Sequence, residues 1–295
     1  MISIERNSGA ARINALMNRV NVVHQGIVNV SPDSFSDGGL FCDPLAATNH
    51  AKNLVDTGAH IVDVGGVSTR PGALEVSVVD ELQRVMPILR SLRSALTSAT
   101  LISLDTSSPI VAQRAAEENL IDIINDVYAS KKCTTLKNSE CQQTTAHIAA
   151  RFDLGLILMH MQGTPSSMQS NPTYKDCLEE VCDFLTERQR FAKACGVNWL
   201  ALDPGIGFGK TLENNLSLLS PVGMKDLIAL GAPVLIGISR KSFLLKLAEK
   251  QGTLPKFQSA VAEQTWRDQQ SALWEDSCIE RGARIIRTHA VKMFR

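Results

Sequence analysis

Residues 101–127 read LISLDTSSPIVAQRAAEENLIDIINDV, and this stretch contains the unit from which the fold can be predicted. Its two apolar runs, Leu101–Thr106 and Ile121–Val127, are too short for an ordinary helix and are rich in leucine and isoleucine, as buried strands are. A more polar segment separates the two runs. Each run also brings an acidic residue, Asp105 or Asp126, close to its end. The stretch therefore predicts two strands with polar groups at their C-terminal ends.

The same pattern occurs eight times along the chain. The segments between the runs have helical spacing; within 174–195, apolar residues recur every three to four positions among charged ones. Apolar strands that alternate with helices favour a parallel sheet covered on its outer side, and eight units in 295 residues fit a single-domain α/β fold, the (β/α)₈ TIM barrel. The predicted strands are Val22–Val30, His60–Gly66, Leu101–Thr106, Ile121–Val127, Leu154–His160, Trp199–Asp203, Pro233–Ser239 and Ala283–His289.

A doubly wound open sheet is the alternative fold, because it too places polar residues at strand C-termini. Such sheets typically have fewer strands and a glycine-rich first turn, and no G-x-G-x-x-G opens a helix here. Residues 1–21 are expected to form an ordinary ragged N-terminal extension, and residues 22–295 the barrel. Because few residues follow His289, the final helix is expected to be shortened or absent.

Composition excludes several classes of function. The chain has 30 Lys+Arg against 30 Asp+Glu and no block of like charges, so we expect small-molecule partners and neither nucleic acid nor an anionic membrane. No stretch approaches the roughly 18 apolar residues of a membrane span, and residues 1–21 lack the apolar centre of a signal peptide. The seven cysteines contain no C-x-x-C pair, which predicts free thiols in a reducing cytoplasm. Only Cys133, Cys141 and His147 resemble a metal cluster, and zinc is disfavoured there because a fourth ligand at recognisable spacing is missing.

Polar side chains follow all eight predicted strands. A single one, such as Asp105, could simply cap the next helix. Eight of eight strands ending this way is hard to explain by capping, and barrel active sites are built at this face. The strand-end residues are Asn29; Ser68, Thr69 and Arg70; Asp105; Asn125 and Asp126; His160; Asp203; Ser239, Arg240, Lys241 and Ser242; and Arg287 with His289.

These residues divide by charge. One group offers acceptors and an amide, which suit a flat heterocycle with N–H donors and ring acceptors. The other offers positive charge and forked donors, which suit phosphate, diphosphate or carboxylate. The predicted substrate is therefore a polar ring attached to an anionic group. The first group is Asp105, Asn125 and Asp203, and the second is Arg70, Lys241, Arg287 and His289.

Two loops are candidates for closing over such a substrate. Residues 29–39, NVSPDSFSDGG, are dense in turn residues, and Phe35 has no periodic partner that would place it in a core, so we expect a mobile lid. Residues 68–72, STRPG, predict a second closing loop, although an ordinary strand-to-helix turn would use similar residues.

Five motifs in order resemble the dihydropteroate synthases, the folate-pathway members of the pterin-binding barrel family, and the resemblance runs from about Gly26 to Lys292. It implies condensation of 6-hydroxymethyl-7,8-dihydropterin diphosphate with p-aminobenzoate to give 7,8-dihydropteroate and diphosphate. The motifs are GIVNVSPDSFSDGG at 26–39, STRPGA at 68–73, LMHMQGTP at 158–165, LDPGIGFGKT at 202–211 and SRKSF at 239–243.

The resemblance also implies roles for individual residues. Asn29 would help to coordinate Mg²⁺, the expected cofactor, and Asp105, Asp203, Lys241 and Arg70 would carry catalysis. The implied mechanism is a dissociative displacement without a covalent enzyme intermediate, in which closed loops exclude water. The implied pterin site is Asp105, Asn125, Met159, Asp203, Phe208 and Lys241; the diphosphate site is Asn29, Thr69, Arg70, Arg287 and His289; and the p-aminobenzoate pocket, where sulfonamides compete, is Phe35, Thr69, Pro71, Lys241 and Ser242.

The sequence departs from the family pattern at several places. Val67 stands where the family usually has Glu, and Ala290 replaces an Asp whose loss is expected to loosen His289. The helix predicted at 261–281 carries Trp266 and Arg267 where the family is mostly small and apolar, which leaves a homodimer through the late helices possible but in doubt. Two other functions stay open: a methyltransferase of the same fold that serves a corrinoid protein, and a catalytically weak pterin-binding homologue that supports a partner.

Overall fold

The computed structural model describes residues 8–30, 43–68, 73, 76–135 and 142–291. Its centre is a barrel of eight parallel strands, each of which lies within one of the predicted apolar runs, so the predicted fold is confirmed. The strands are β1 (Val23–Asn29), β2 (Ile61–Gly65), β3 (Leu101–Asp105), β4 (Ile123–Asp126), β5 (Gly155–Met159), β6 (Trp199–Asp203), β7 (Leu235–Ile236) and β8 (Ile285–Thr288).

Parallel pairing runs in the order β6-β5-β4-β3-β2-β1-β8-β7. The two ends of this order meet, because Leu202 of β6 forms a parallel bridge with Val234, next to β7. The Leu202 amide donates to the Pro233 carbonyl at 2.9 Å across the same junction. The sheet therefore closes on itself, and the open doubly wound alternative is wrong.

Helices cover the outside of the barrel, and most begin at a side-chain cap. Ser77 accepts from the amide of Asp80, and Ser108 accepts from that of Val111 ahead of a proline-started helix. Within the described residues, none of the helices has the length and apolar composition that crossing a bilayer requires. They are α1 (Gly9–Arg19), α2 (Pro44–Asp56), α3 (Val78–Ala95), α4 (Pro109–Glu117), α5 (Thr145–Arg151), α6 (Cys177–Ala194), α7 (Leu212–Leu219), α8 (Pro221–Ala229), α9 (Phe243–Lys250) and α10 (Ala260–Glu280).

Alternation along the strands separates two cores. Even-numbered strand residues such as Val62 and Ile102 face outward and pack beneath the helices. Odd-numbered residues face the barrel interior, where Val23, Ile61 and Leu101 form an apolar layer at the N-terminal end of the strands. Polar side chains at odd positions, such as Asp63, Ser103 and Asp203, lie beyond this layer, in the middle and at the C-terminal ends of the strands.

The N-terminal segment contributes more than the ragged extension expected from sequence. Helix α1 places Ile13, Leu16 and Met17 on the apolar interior layer and closes that end of the barrel. Gly9 is required at its start, because a Cβ there would overlap the carbonyl oxygen of Asp122. The helix was not foreseen because its few apolar residues are covered only by the barrel end, a surface made by distant strands.

Candidate active site

A cavity of about 640 Å³ opens at the C-terminal ends of the strands. Three residues of the predicted site, Asn125, Met159 and Asp203, are buried at the ends of β4, β5 and β6. The cavity thus lies at the face where barrel enzymes carry their sites. Seven residues of the predicted site line it: Asn29, Asp105, Phe208, Lys241, Ser242, Arg287 and His289.

Four predicted residues, Phe35, Thr69, Arg70 and Pro71, lie outside the described residues. The same is true of most of the two predicted closing loops, of which the structure describes Asn29, Val30 and Ser68. Their roles stay predictions.

An ionic network lies at the floor of the cavity. The Arg287 guanidinium bonds Asp63 through Nε at 2.6 Å and Asp105 through Nη2 at 2.8 Å. Asn125 donates from Nδ2 to the same Asp63 oxygen, Oδ2, at 3.1 Å. Arg287, predicted as a diphosphate ligand, therefore also joins two carboxylates, of which Asp105 is a predicted pterin ligand.

Asp63 is a member of this network that the motifs did not reveal. It lies in the middle of β2, within an apolar run and away from the strand end. Two signals could have identified it: a charged residue in a run predicted to be buried on both faces, and the odd position that it shares with Asp105 and Arg287.

A second group forms around Asp203, where the amide of Gly205 donates to Oδ1 at 2.7 Å. Lys241 lies with Nζ 4.5 Å from the centre of the Phe208 ring and donates to the Ile206 carbonyl. The loop that carries Phe208 has glycines 205, 207 and 209 at positive φ. Gly205 admits no side chain, because a Cβ would overlap the carbonyl oxygen of His160. The glycine-rich motif thus brings the backbone close to β5 and presents Phe208 to Lys241.

Burial shifts the proton affinities of these groups in opposite directions. Desolvation raises the pKa of Asp105 to about 7, although Arg287 acts against the shift. Desolvation also raises the pKa of Asp203, opposed mainly by Lys241. The pKa of Lys241 falls to about 8, because burial outweighs the attraction of Asp203. Burial alone would lower the pKa of Arg287, but the carboxylates of Asp63 and Asp105 outweigh burial and raise this pKa above its ordinary value. Burial therefore brings the pKa values of Asp105 and Lys241 toward neutral pH.

The loop that carries Lys241 is held by α10. Arg240 has φ +59°, a left-handed conformation that is uncommon outside glycine. Its guanidinium bonds Asp268 at 2.6 and 2.9 Å, and its amide donates to the Ser271 hydroxyl at 3.0 Å. Arg267, one of the departures from the family pattern, donates to the Arg240 carbonyl at 3.0 Å. These contacts stabilise the strained turn and set the position of Lys241.

His289 is oriented by a different residue than expected. Its Nδ1 lies 3.0 Å from the Ser239 hydroxyl oxygen, which also accepts from the His289 amide at 3.1 Å. Ser239 thus contacts the imidazole from the side of the adjoining strand, and the loosening expected from Ala290 stays a prediction. Val67, the other departure, lines the cavity directly.

Two strand-end residues point away from the cavity, because they occupy even positions. Asp126 holds the turn after β4 by accepting from the amides of Tyr128 and Ser130 at 2.8 and 3.0 Å. His160 lies 2.9 Å through Nδ1 from Nζ of the buried Lys210. Burial lowers the pKa of Lys210 to about 7 and that of His160 to about 3. Lys210 also donates to the Phe208 carbonyl at 3.1 Å, so it braces the glycine-rich loop from behind.

Cys133, Cys141 and His147, the residues that resembled a metal cluster in the sequence, do not form a metal site in the described part of the chain. His147 uses Nδ1 in a capping box with Thr144 at the start of α5. Cys133 is exposed and donates to Gln142 at 3.0 Å, and Cys141 lies outside the described residues. No three His, Cys, Asp or Glu side chains among the residues that can be described are placed to hold a metal ion.

Comparison with known proteins places this geometry in context. A family model described as pterin binding enzyme matches residues 25–289. A dihydropteroate synthase of Synechocystis sp. is 38% identical over 269 residues, which cover 90% of this chain and 84% of that protein.

Two solved structures share the fold. A Yersinia pestis dihydropteroate synthase with a sulfonamide drug complex superposes with a TM-score of 0.78 at 35% identity, covering 92% of this chain and 90% of that one. A Xanthomonas albilineans dihydropteroate synthase with 4-aminobenzoic acid gives 0.73 at 36% identity, covering 92% and 88%.

Proposed function

Because this chain belongs to the pterin-binding enzyme family, we infer that it condenses 6-hydroxymethyl-7,8-dihydropterin diphosphate with p-aminobenzoate, giving 7,8-dihydropteroate and diphosphate in folate biosynthesis. The chain is a transferase of the dihydropteroate synthase type. One observation carries the inference beyond similarity: the cavity floor combines carboxylates, an amide and partly buried cations from five different strand ends. This is the chemistry that a pterin ring with an attached anion requires.

We propose that the ring lies on the network at the floor. Asp105 and Asp203 would accept from its N–H groups, Asn125 would bind its edge, and Met159 and Phe208 would contact its face. Lys241, beside Phe208, would donate to a ring acceptor. This assignment is supported by the burial of Asn125 and Asp203, by the 12% exposure of the Asp105 side chain at the cavity, and by the cation over the Phe208 ring.

The diphosphate would lie farther out, against Asn29, Arg287 and His289, with Thr69 and Arg70 from the second closing loop. Asn29 offers a single amide oxygen at the cavity. Mg²⁺ commonly keeps several waters and binds one or two protein oxygens together with substrate phosphates, so one amide beside a diphosphate fits this ion. Asn29 would hold it, and when bound the ion would neutralise charge on the departing diphosphate.

In the reaction, the bond between the pterin methylene and the diphosphate oxygen breaks, and the p-aminobenzoate nitrogen forms a bond to the same carbon and loses a proton. No covalent bond to the protein is needed. Arg287, with Arg70, would stabilise the leaving group, while the ionised forms of Asp105 and Asp203 would favour positive charge spreading into the ring. Their raised pKa values make this contribution increase as the pH rises toward neutrality.

The p-aminobenzoate pocket would be formed by Lys241 and Ser242, with Phe35, Thr69 and Pro71 from the two loops. Sulfonamides would compete there, by analogy with the Yersinia pestis structure. The tight hold of α10 on the Arg240 turn supports a preformed edge of this pocket.

The test is direct: purified protein is incubated with Mg²⁺, the pterin diphosphate and p-aminobenzoate, and diphosphate and dihydropteroate are measured. Both products should form in equal amounts, and omission of p-aminobenzoate should abolish dihydropteroate. Tight pterin binding without turnover would instead support a catalytically weak pterin-binding homologue. No described residue of the site favours that alternative. Methyl transfer from methyltetrahydrofolate would support the corrinoid-linked alternative. A homodimer stays a separate proposal, to be checked by light scattering.

A further inference from the structure

We propose that Asp63 is a positioning residue of this reaction: its buried carboxylate holds both Arg287 and Asn125 in place, and its charge leaves Asp105 available to the pterin ring. The inference rests on the proposed function and deepens it, because it adds a residue to the site that neither the motifs nor the comparisons single out.

The Asp63 carboxylate joins two residues of the proposed site. One oxygen of Asp63, Oδ2, accepts from Arg287 at 2.6 Å and from Asn125 at 3.1 Å. These two partners come from strands on opposite sides of β2, namely β8 and β4. A single atom therefore sets the distance between a cation that lines the cavity and an amide proposed to bind the ring.

The Asp63 carboxylate is fully buried. The Asp63 side chain has 0% exposure, and its other oxygen, Oδ1, has no hydrogen-bond partner. A fully buried charge with one oxygen left unpartnered is a poor source of stability, and well-packed apolar residues often replace buried ion pairs without loss. The carboxylate is better explained by what it holds than by what it adds to the fold.

Asp63 also sets the net charge of the cavity floor. Arg287 binds Asp63 through Nε and Asp105 through Nη2, so the two carboxylates share one guanidinium. With all groups ionised, Asp63, Asp105 and Asp203 carry three negative charges against two positive charges on Lys241 and Arg287. Without Asp63 the floor would be neutral, and Arg287 would pair with Asp105 alone. Asp63 thus supplies the excess negative charge that favours a positive pterin methylene.

The neighbouring strand provides a matched control. Ser103 of β3 is the direct register partner of Asp63, is fully buried, and has a hydroxyl without a hydrogen-bond partner. The variant Ser103→Ala therefore changes a buried polar group at the same level of the barrel without touching the network.

The experiment compares wild type, Asp63→Asn and Ser103→Ala in the diphosphate-release assay. We expect Asp63→Asn to lower kcat by about tenfold or more and to raise the pterin KM severalfold, with the p-aminobenzoate KM within about twofold of wild type. Ser103→Ala should stay within about twofold throughout. Asp63→Asn with wild-type kinetics, or with a loss of thermal stability alone, would overturn the proposal.

The pH profile gives a readout that a merely structural role would not move. The charged groups that act on Asp105 are Arg287, Asp63, Glu81 and Asp126, and Asp63 raises its pKa. Loss of that charge should lower the pKa of Asp105 and shift the acid limb of kcat/KM for the pterin to lower pH. An unshifted limb would count against the proposal.

Two further measurements cover other outcomes. If Asp63→Asn fails to fold, Asp63→Ala is assayed with added formate, which should restore turnover severalfold where formamide does not; absence of rescue in the folded variant refutes the role. If the wild type is inactive, the proposed function fails by itself. In that case the role of Asp63 is tested by measuring pterin binding with calorimetry. If Asp63→Asn binds the pterin as tightly as wild type, the proposed role of Asp63 is wrong.

Discussion

Substitution of Gly205 by alanine should separate the geometry of the site from the stability of the barrel. Gly205 has φ +68°, and an added Cβ would lie more than 1 Å inside the 3.0 Å limit that Cβ atoms keep, against the carbonyl oxygen of His160. Because that oxygen belongs to backbone, the loop has to move by roughly 1 Å. The Gly205 amide donates to Asp203, so the shift is transmitted directly to a proposed ring ligand.

The expected magnitude follows from these two effects. The left-handed conformation costs alanine about 1–2 kcal/mol. A displacement of about 1 Å in a positioned group can cost about 100-fold in rate. Gly205→Ala should therefore lower kcat/KM for the pterin by about two orders of magnitude while the unfolding free energy falls by only a few kcal/mol.

Gly231→Ala is the matched control. Gly231 also has positive φ, +79°, but an added Cβ would meet nothing within 4 Å, and the residue follows α8, away from the cavity. It should show the conformational cost of about 1 kcal/mol in urea unfolding and unchanged turnover. The reasoning is refuted if folded Gly205→Ala keeps wild-type turnover, or if both variants lose activity equally.

Three other predictions test separate parts of the structure. Ile13→Ala in α1 should lower the unfolding free energy by about 2–5 kcal/mol with kcat unchanged, because Ile13 is fully buried. Asn14 is exposed, so Asn14→Ala should have little effect on either quantity. Equal urea midpoints for the two variants would mean that α1 does not close the barrel. Lys241→Ala should lower turnover about 100-fold with little change in thermal stability, and parallel loss of both would mark the lysine as structural. The pKa values of Lys210 and Lys241 are lowered to about 7 and 8, so the unfolded state binds more protons than the folded state between about pH 7 and 10. The unfolding free energy should therefore rise with pH across this range, and Lys210→Met should reduce that rise. An identical slope in the variant would contradict the lowered pKa of Lys210.

The sequence revealed the strands and seven of the residues that line the cavity, because both depend on short-range patterns. An apolar run such as Ile121–Val127 has to be buried in any compact fold, and residues that follow parallel strands gather at one end of a barrel. The odd or even position of each residue along its strand would have shown which of these side chains face the barrel interior. Asp126 and His160 follow strands as Asp105 does, but they occupy even positions and face the helices. The same rule would have included Asp63.

Other features needed contacts between distant parts of the chain. The pairing of Asp63 with Arg287 joins residues 224 positions apart, and the hold of α10 on Arg240 spans about 30 positions, so no local pattern encodes either. The contact of His289 with Ser239 belongs to the same class, because the two residues lie 50 positions apart and Ala290 alone could not reveal it.

By itself, the sequence determined a parallel barrel of eight strands and the chemical character of its C-terminal end, because alternation and strand-end composition follow from burial acting along a few neighbouring residues. Tertiary structure alone decided which charges meet, that α1 closes the other end, and that Arg287 is shared between two carboxylates. The physical reason is that the energy of a buried charge depends on its nearest counter-charges and on the loss of solvent, and both are set by strands that approach one another only when the barrel closes.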